Sequence, residues 1–171
     1  MVRHAIRSLL LTLLLAFGTI PGQAEELQQV QKDVKQLAEA LHRGEFDTVL
    51  RYTHPAIIDL HGGYIATQTV LERGMKPIIA EGLALDSFTF PGPPDYIEGE
   101  ARRYVIVPTL SVISFRGQKV ESLMFQFGVL EPGAVRWTYF DGSHLKPELL
   151  ESLFPDFPAG YEFPKTYRKR L

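Results

Sequence analysis

The spacing of apolar residues changes once along the chain, near Leu83, and this change limits the folds open to the protein. Between residues 25 and 43 they recur at steps of three and four, which predicts one amphipathic helix. Its apolar stripe consists of Leu27, Val30, Val34, Leu37 and Leu41. Beyond Leu83 apolar and polar residues alternate, as in strands. The order predicts an α+β fold, and 171 residues suit a single domain.

Proline divides the rest of the helical half into short pieces. A second helix begins near Asp47 and must stop at Pro55, because proline has no N–H to donate within a helix. A helical turn over residues 55–61 and a third helix over 66–80 follow. Pro77 lies inside the third helix and predicts a kink or a break near Lys76.

The alternating half predicts a meander of antiparallel strands joined by short turns that contain glycine. A first strand is expected at Leu85–Phe90, and the three strands of the meander at Arg102–Phe115, Lys119–Leu130 and Val135–Asp141. Pro108 falls within the longest of them, where it cannot donate to a neighbouring strand, so it marks a bulge or an edge.

Both faces of this sheet carry apolar residues, so both need a cover. One face is expected to receive the N-terminal helices in its concavity, and the other to be covered by curvature, by the tail or by a second subunit. After a short helix at Pro147–Leu153, prolines and aromatic residues alternate from Phe154 onwards, which predicts an extended strap laid on the body. Only Lys165–Arg170 is expected to be loose.

Residues 1–24 have the three parts of a secretory signal peptide. Arg3 and Arg7 precede the apolar run Ser8–Ile20, and the small residues Gly22 and Ala24 follow it. The run is shorter than the roughly 20 residues of a membrane-spanning helix. We expect cleavage after Ala24, leaving a domain of residues 25–171 that is exported to the periplasm or beyond and does not enter a membrane.

Composition excludes several classes of function. The formal charge of −2 argues against nucleic-acid binding, which needs a basic face. The chain contains no cysteine, so it has no disulfide, thiol nucleophile or thiolate metal site. The spacing of His54, Asp59 and His61 is not that of recurrent metal sites. We therefore expect neither metal nor cofactor.

Several short segments, in this order, resemble the nuclear transport factor 2-like, or SnoaL-like, superfamily, and more closely a group of small exported bacterial proteins without an assigned activity. The segments are Gly44-Glu45-Phe46-Asp47, Tyr52-Thr53-His54-Pro55, Gly62-Gly63, Val107-Pro108-Thr109, Trp137-Thr138-Tyr139-Phe140-Asp141-Gly142 and Leu153-Phe154-Pro155. The resemblance covers nearly all of residues 27–155, and Pro77 departs from it. It implies a conical pocket between sheet and helices, and often a dimer through the outer sheet face. It implies no single activity, since relatives include isomerases, dehydratases, epoxide hydrolases and binding modules.

His54 and Asp141 are the candidate catalytic residues. His54 lies where a helix must end, so its ring is expected either to act as a general base or to bond backbone groups exposed by the break. Asp141 ends a strand rich in aromatic residues, so it is either an acid–base group in an apolar pocket or a turn residue before Gly142.

Five aromatic residues are candidates either for the wall of an apolar ligand pocket or for core packing. They are Tyr52, Tyr104, Phe125, Trp137 and Tyr139. Since no convincing acid–base pair accompanies them, we expect a protein that binds a small apolar molecule or a protein partner. A cofactor-independent lyase or isomerase using His54 and Asp141, and a dimerisation module with a filled core, are the alternatives.

Overall fold

Four helices come first in the computed structural model, which describes residues 21–171. They are α1 (Pro21–Arg43), α2 (Phe46–Tyr52), α3 (Pro55–Leu60) and α4 (Tyr64–Ala80). Val30 and Val34 of the predicted stripe are fully buried, because their side chains face the sheet. Residues 1–20 of the predicted signal peptide lie outside the described residues, and none of the described helices is long and apolar enough to cross a membrane.

The strands form an antiparallel sheet. They are β1 (Ala84–Thr89), β2 (Asp95–Glu98), β3 (Arg103–Phe115), β4 (Gln118–Leu130), β5 (Thr138–Asp141) and β6 (Tyr167–Arg170), with helix α5 (Pro147–Leu153) between the last two. The long strands β3 and β4 pair along their whole length. Arg116 and Gly117 form the turn between them, and both have a positive φ. This is required in a two-residue hairpin turn whose twist matches that of the flanking strands. The predicted α+β class and the meander are confirmed.

Pro108 lies in a gap on one edge of β3. On that edge β2 pairs with β3 up to Ile106, and β1 pairs with it from Leu110 onwards. Residues 107–109 are therefore paired on the β4 side alone, and a residue without an N–H fits there. The prediction of a local edge is confirmed.

The two sheet faces have different covers. The helix-side face, formed by Val105, Val107, Trp137 and Tyr139, packs against α1. The outer face, which carries Tyr104, Ile106, Phe125, Phe127 and Val129, packs against Phe154 and Phe157. Burying each such side chain contributes about 1.5–3 kcal/mol, so the C-terminal segment that holds Phe154 and Phe157 is part of the core.

The structure differs from the sequence-based expectations at three places. The chain does not break at Pro77, one of the two outcomes expected there: helix α4 continues to Ala80, because the lost hydrogen bond concerns only the Arg73 carbonyl near an exposed helix end. Strand β2 was missed, since four residues are too few for an alternating pattern to be recognised. Tyr167–Arg170 is not loose: its backbone pairs with Val120–Leu123 of β4, although its side chains are exposed.

Candidate functional site

A cavity of about 370 Å³ lies between the helices and the helix-side face of the sheet. Its helix wall is mainly aliphatic, and its sheet wall combines polar side chains with Phe88, Met124 and Phe140. The helix wall includes Val34, Leu37, Leu41, Val49, Ile57 and Leu71. The sheet wall includes Thr109, Ser111, Met124, Gln126, Tyr139 and Asp141.

The polar groups on the helix wall are bonded to their own helices. Thr53 donates to the Val49 carbonyl at 2.9 Å, and Thr67 donates to the Gly63 carbonyl at 2.9 Å. His42 and His61 each direct Nδ1 at a carbonyl one turn earlier, at 2.8 and 2.7 Å. These contacts use the hydroxyl and Nδ1 hydrogens, so the helix wall offers mostly hydrocarbon to the cavity.

Strand pairing places the polar groups of the sheet wall on one face of the sheet. Thr109 and Ser111 continue the face of β3 that carries Val105 and Val107, because alternate residues share a face. Gln126 lies opposite Val107 on one side and opposite Asp141 on the other. Met124 lies opposite Thr109, so this side of the cavity carries hydroxyl, amide and carboxylate groups with an apolar side chain among them.

Tyr139 crosses the sheet wall and reaches α1. Its neighbour on β4 is Gly128, where a Cβ atom would lie 3.0 Å from Tyr139 Cδ1 and 2.5 Å from Val105 Cγ1. The missing side chain therefore makes room for the ring. Tyr139 donates to Asp33 Oδ2 at 3.4 Å, and Gln29 donates to Oδ1 of the same carboxylate at 2.7 Å.

Burial shifts the titration of this pair towards the neutral forms. Desolvation raises the pKa of Asp33, while the hydrogen bonds from Gln29 and Tyr139 oppose the rise. The pKa of Tyr139 is also raised, first by burial and then by the nearby charge of Asp33. Both groups are consequently protonated more readily than in water, and the tyrosine remains a neutral donor.

Asp141 lies at the end of the sheet wall and is exposed. Its Oδ1 accepts from the backbone N–H of Ser143 at 2.9 Å, which is the turn geometry expected of an Asp-Gly-Ser sequence. The residue also lines the cavity. It therefore holds the turn and contributes a carboxylate to the cavity.

His54 is buried and bonded on both ring nitrogens. Its Nδ1 accepts from the backbone N–H of Ala56 at 3.2 Å and so caps α3, while Nε2 faces Glu131 Oε1 at 3.2 Å. Burial lowers the pKa of His54, and the contact with Glu131 opposes this. His54 bonds a backbone group at the helix break, one of the two roles expected of it, and does not line the cavity with Asp141. Its assignment as a general base stays a prediction.

The five aromatic candidates lie in different parts of the structure. Only Tyr139 lines the cavity. Tyr104 and Phe125 belong to the outer face, where Tyr104 donates to Asp156 Oδ1 at 2.7 Å. Trp137 packs on the helix side, edge-on to Tyr96 and beneath the Arg103 guanidinium. Tyr52 donates to Gln36 at 2.8 Å and lines a separate surface pocket.

Sequence reasoning missed Thr109, Ser111, Met124 and Gln126. The alternating pattern of the two longest strands places these residues on one sheet face and could have identified them. The prediction instead selected aromatic residues. Within residues 21–171 no three histidine or acidic side chains gather in a way that could hold a metal ion.

Comparisons of the chain with protein-family models, with curated proteins and with solved structures gave no significant match. Function is therefore argued from the site itself.

Proposed function

We propose that this chain is an exported binding protein that holds one small molecule in the cavity between its helices and its sheet. The observation that carries the proposal is the difference between the two walls. Hydrocarbon from Leu37, Val49 and Leu71 faces Thr109, Ser111 and Gln126 across the cavity. A molecule with an apolar body and one polar edge matches both walls.

The size and position of the cavity support this proposal. Its volume of about 370 Å³ lies in the range of about 300–1,000 Å³ that is usual for small-molecule sites. Binding sites of this kind are mostly apolar, with a few polar groups that orient the ligand. The sheet wall supplies such groups on a paired scaffold, which keeps them in place without a ligand.

The proposed fold family is the nuclear transport factor 2-like superfamily. Its support is the resemblance of the segments around Gly44, Thr53, Pro108 and Asp141, together with helices packed against one face of an antiparallel sheet. We also propose that the protein is exported from the cytoplasm. This proposal rests on the basic, apolar and small residues of positions 1–24.

The proposal is binding without catalysis. A lyase or isomerase built on His54 and Asp141 needs both groups within reach of one substrate atom. His54 is engaged by Ala56 and Glu131 and does not line the cavity, so this arrangement lacks the shared site.

A neutral amphipathic fluorophore, N-phenyl-1-naphthylamine, tests the proposal. We expect saturable fluorescence enhancement with the purified protein. Ala38→Phe, which extends a ring from α1 into the cavity, should weaken binding at least tenfold. Ala80→Phe is the matched control, because Ala80 is exposed at the end of α4, and it should leave the affinity unchanged.

Thermal unfolding of both variants checks that each is folded. Absence of saturable binding to the wild-type protein contradicts the proposal, and so does an unchanged affinity in folded Ala38→Phe.

A further inference from the structure

A second pocket, of about 270 Å³, opens at the surface between α1, α2 and the segment that leads into β5. Three arginines line it, one from each of these elements: Arg43, Arg51 and Arg136. Gln36, Thr48 and Tyr52 add polar side chains. None of these residues lines the larger cavity.

The arginines do not have equivalent partners. Arg43 is neutralised locally, since its Nε donates to Glu45 Oε1 at 2.6 Å and its Nη1 lies 3.4 Å from Glu39 Oε2. Arg51 donates to the neutral hydroxyl of Thr48 at 2.8 Å. Within residues 21–171 neither Arg51 nor Arg136 forms an ion pair. Among the residues that line the pocket, Glu45 offsets one of the three arginines, so the lining carries two net positive charges.

The pKa of Tyr52 depends on the charges around this pocket. Burial and the Asp33 carboxylate raise the pKa of Tyr52, whereas Arg136 and Arg51 act in the opposite direction. Both arginines line the same pocket as Tyr52. Asp33 is the carboxylate that acts on Tyr52 without lining the pocket. Burial raises the pKa of Asp33, which favours its neutral form.

This positive charge is local, because the chain as a whole carries a formal charge of −2. A guanidinium group presents a planar fork of N–H donors that matches two oxygens of a phosphate or carboxylate group. Thr48 adds a donor: its oxygen accepts from Arg51, so its hydroxyl hydrogen remains available.

We propose that this pocket binds the oxyanion group, phosphate or carboxylate, of a small soluble molecule, with Arg51 and Arg136 as its charged ligands and Thr48 as a neutral donor. The site is independent of the proposed occupant of the larger cavity. Each of the two can therefore fail without the other.

Calorimetric titration with inorganic phosphate, and separately with succinate, tests the site at constant ionic strength. We expect saturable binding of at least one of them. Arg51→Ala and Arg136→Ala should each weaken it about tenfold or more, because each removes a charge-assisted contact. Arg51→Lys, which keeps the charge and loses the fork, should weaken it less than Arg51→Ala.

Arg73→Ala is the matched control, because Arg73 is an exposed arginine of α4 outside the pocket. It changes the net charge equally and should alter the affinity less than twofold. The proposal is overturned if neither anion binds saturably, if the two pocket variants bind as the wild type does, or if Arg73→Ala weakens binding as much as they do. Preference for one anion identifies which oxyanion chemistry the site takes.

Discussion

Asp156 accepts a hydrogen bond from the guanidinium group of Arg102, with 2.6 Å between Nη1 and Oδ1. The same carboxylate accepts from the Tyr104 hydroxyl at 2.7 Å and from the backbone N–H groups of Ala101 and Arg102 at 3.3 and 3.1 Å. These contacts fasten the C-terminal segment to the beginning of β3, so the cover of the outer face is held by a charged group as well as by aromatic packing.

Replacing Asp156 by Asn should destabilise the protein in a pH-dependent way. Burial opposes ionisation, but the hydrogen bonds from Tyr104, Arg102 and the backbone outweigh it and lower the pKa of Asp156 to about 2. A carboxylate with a lowered pKa stabilises the fold above its unfolded value of 3.8, and this stability is lost as the pH falls towards 2. The shift corresponds to about 2 kcal/mol at neutral pH, which urea unfolding at pH 7 should detect as the loss in Asp156→Asn.

Asp59→Asn provides the comparison, since Asp59 is an exposed carboxylate at the end of α3. It should change the free energy of unfolding by less than about 0.5 kcal/mol. Equal effects of the two substitutions would contradict the role given to Asp156.

His54 should make the protein less stable as the solution becomes mildly acidic. Burial lowers its pKa in the folded state, so the unfolded chain takes up a proton first as the pH falls below about 6.5. Stability is therefore complete above that pH and decreases below it. In His54→Asn the side chain can still cap α3, but it does not titrate. Urea unfolding between about pH 7 and 5 should show a smaller decrease for this variant than for the wild type.

His144→Asn serves as the reference for this series, because His144 is exposed between β5 and α5. It should keep the wild-type pH dependence. If His54→Asn and the wild type lose stability in parallel, His54 does not cause the decrease.

Adding one methyl group at Gly128 should disturb the sheet wall of the cavity. The new Cβ would lie 2.5 Å from Val105 Cγ1 and 3.0 Å from two ring atoms of Tyr139, both in the packed interior. Overpacking of this kind typically costs about 1–3 kcal/mol, which we expect as the loss of unfolding free energy in Gly128→Ala. Gly92→Ala is the control, since nothing lies within 4 Å of its added Cβ. A Gly128→Ala protein as stable as the wild type would show that Tyr139 can move aside.

Much of the fold was predictable because it depends on local patterns. The stripe through Val30 and Val34 specified the helix that packs on the sheet, and the alternation through Val105 and Val107 specified the long strand. Pro108 marked the local edge because a missing N–H is a property of the residue itself. Tyr167–Arg170 gave no such signal, since its pairing with β4 depends on backbone groups and leaves its side chains exposed.

The candidate site was predicted less well. Tyr104, Phe125 and Tyr139 were grouped as candidates for one pocket wall or for core packing, yet Phe125 and Tyr104 face the C-terminal segment whereas Tyr139 faces the helices. Alternation identifies the residues that share a face within one strand. It does not identify which faces of neighbouring strands coincide, because this depends on register: Tyr104 pairs with Val129, and Tyr139 pairs with Gly128.

The sequence by itself determined that helices precede a sheet of antiparallel strands, and it marked the apolar surfaces that the main helices and the long strands had to bury. These follow from local periodicity and from the geometry of proline and glycine. Tertiary structure alone decided that His54 bonds Glu131, that Asp156 bonds Arg102 and that Thr109 and Gln126 line the cavity. Those neighbours are distant along the chain, and only strand register and the docking of the helices and the C-terminal segment bring them together.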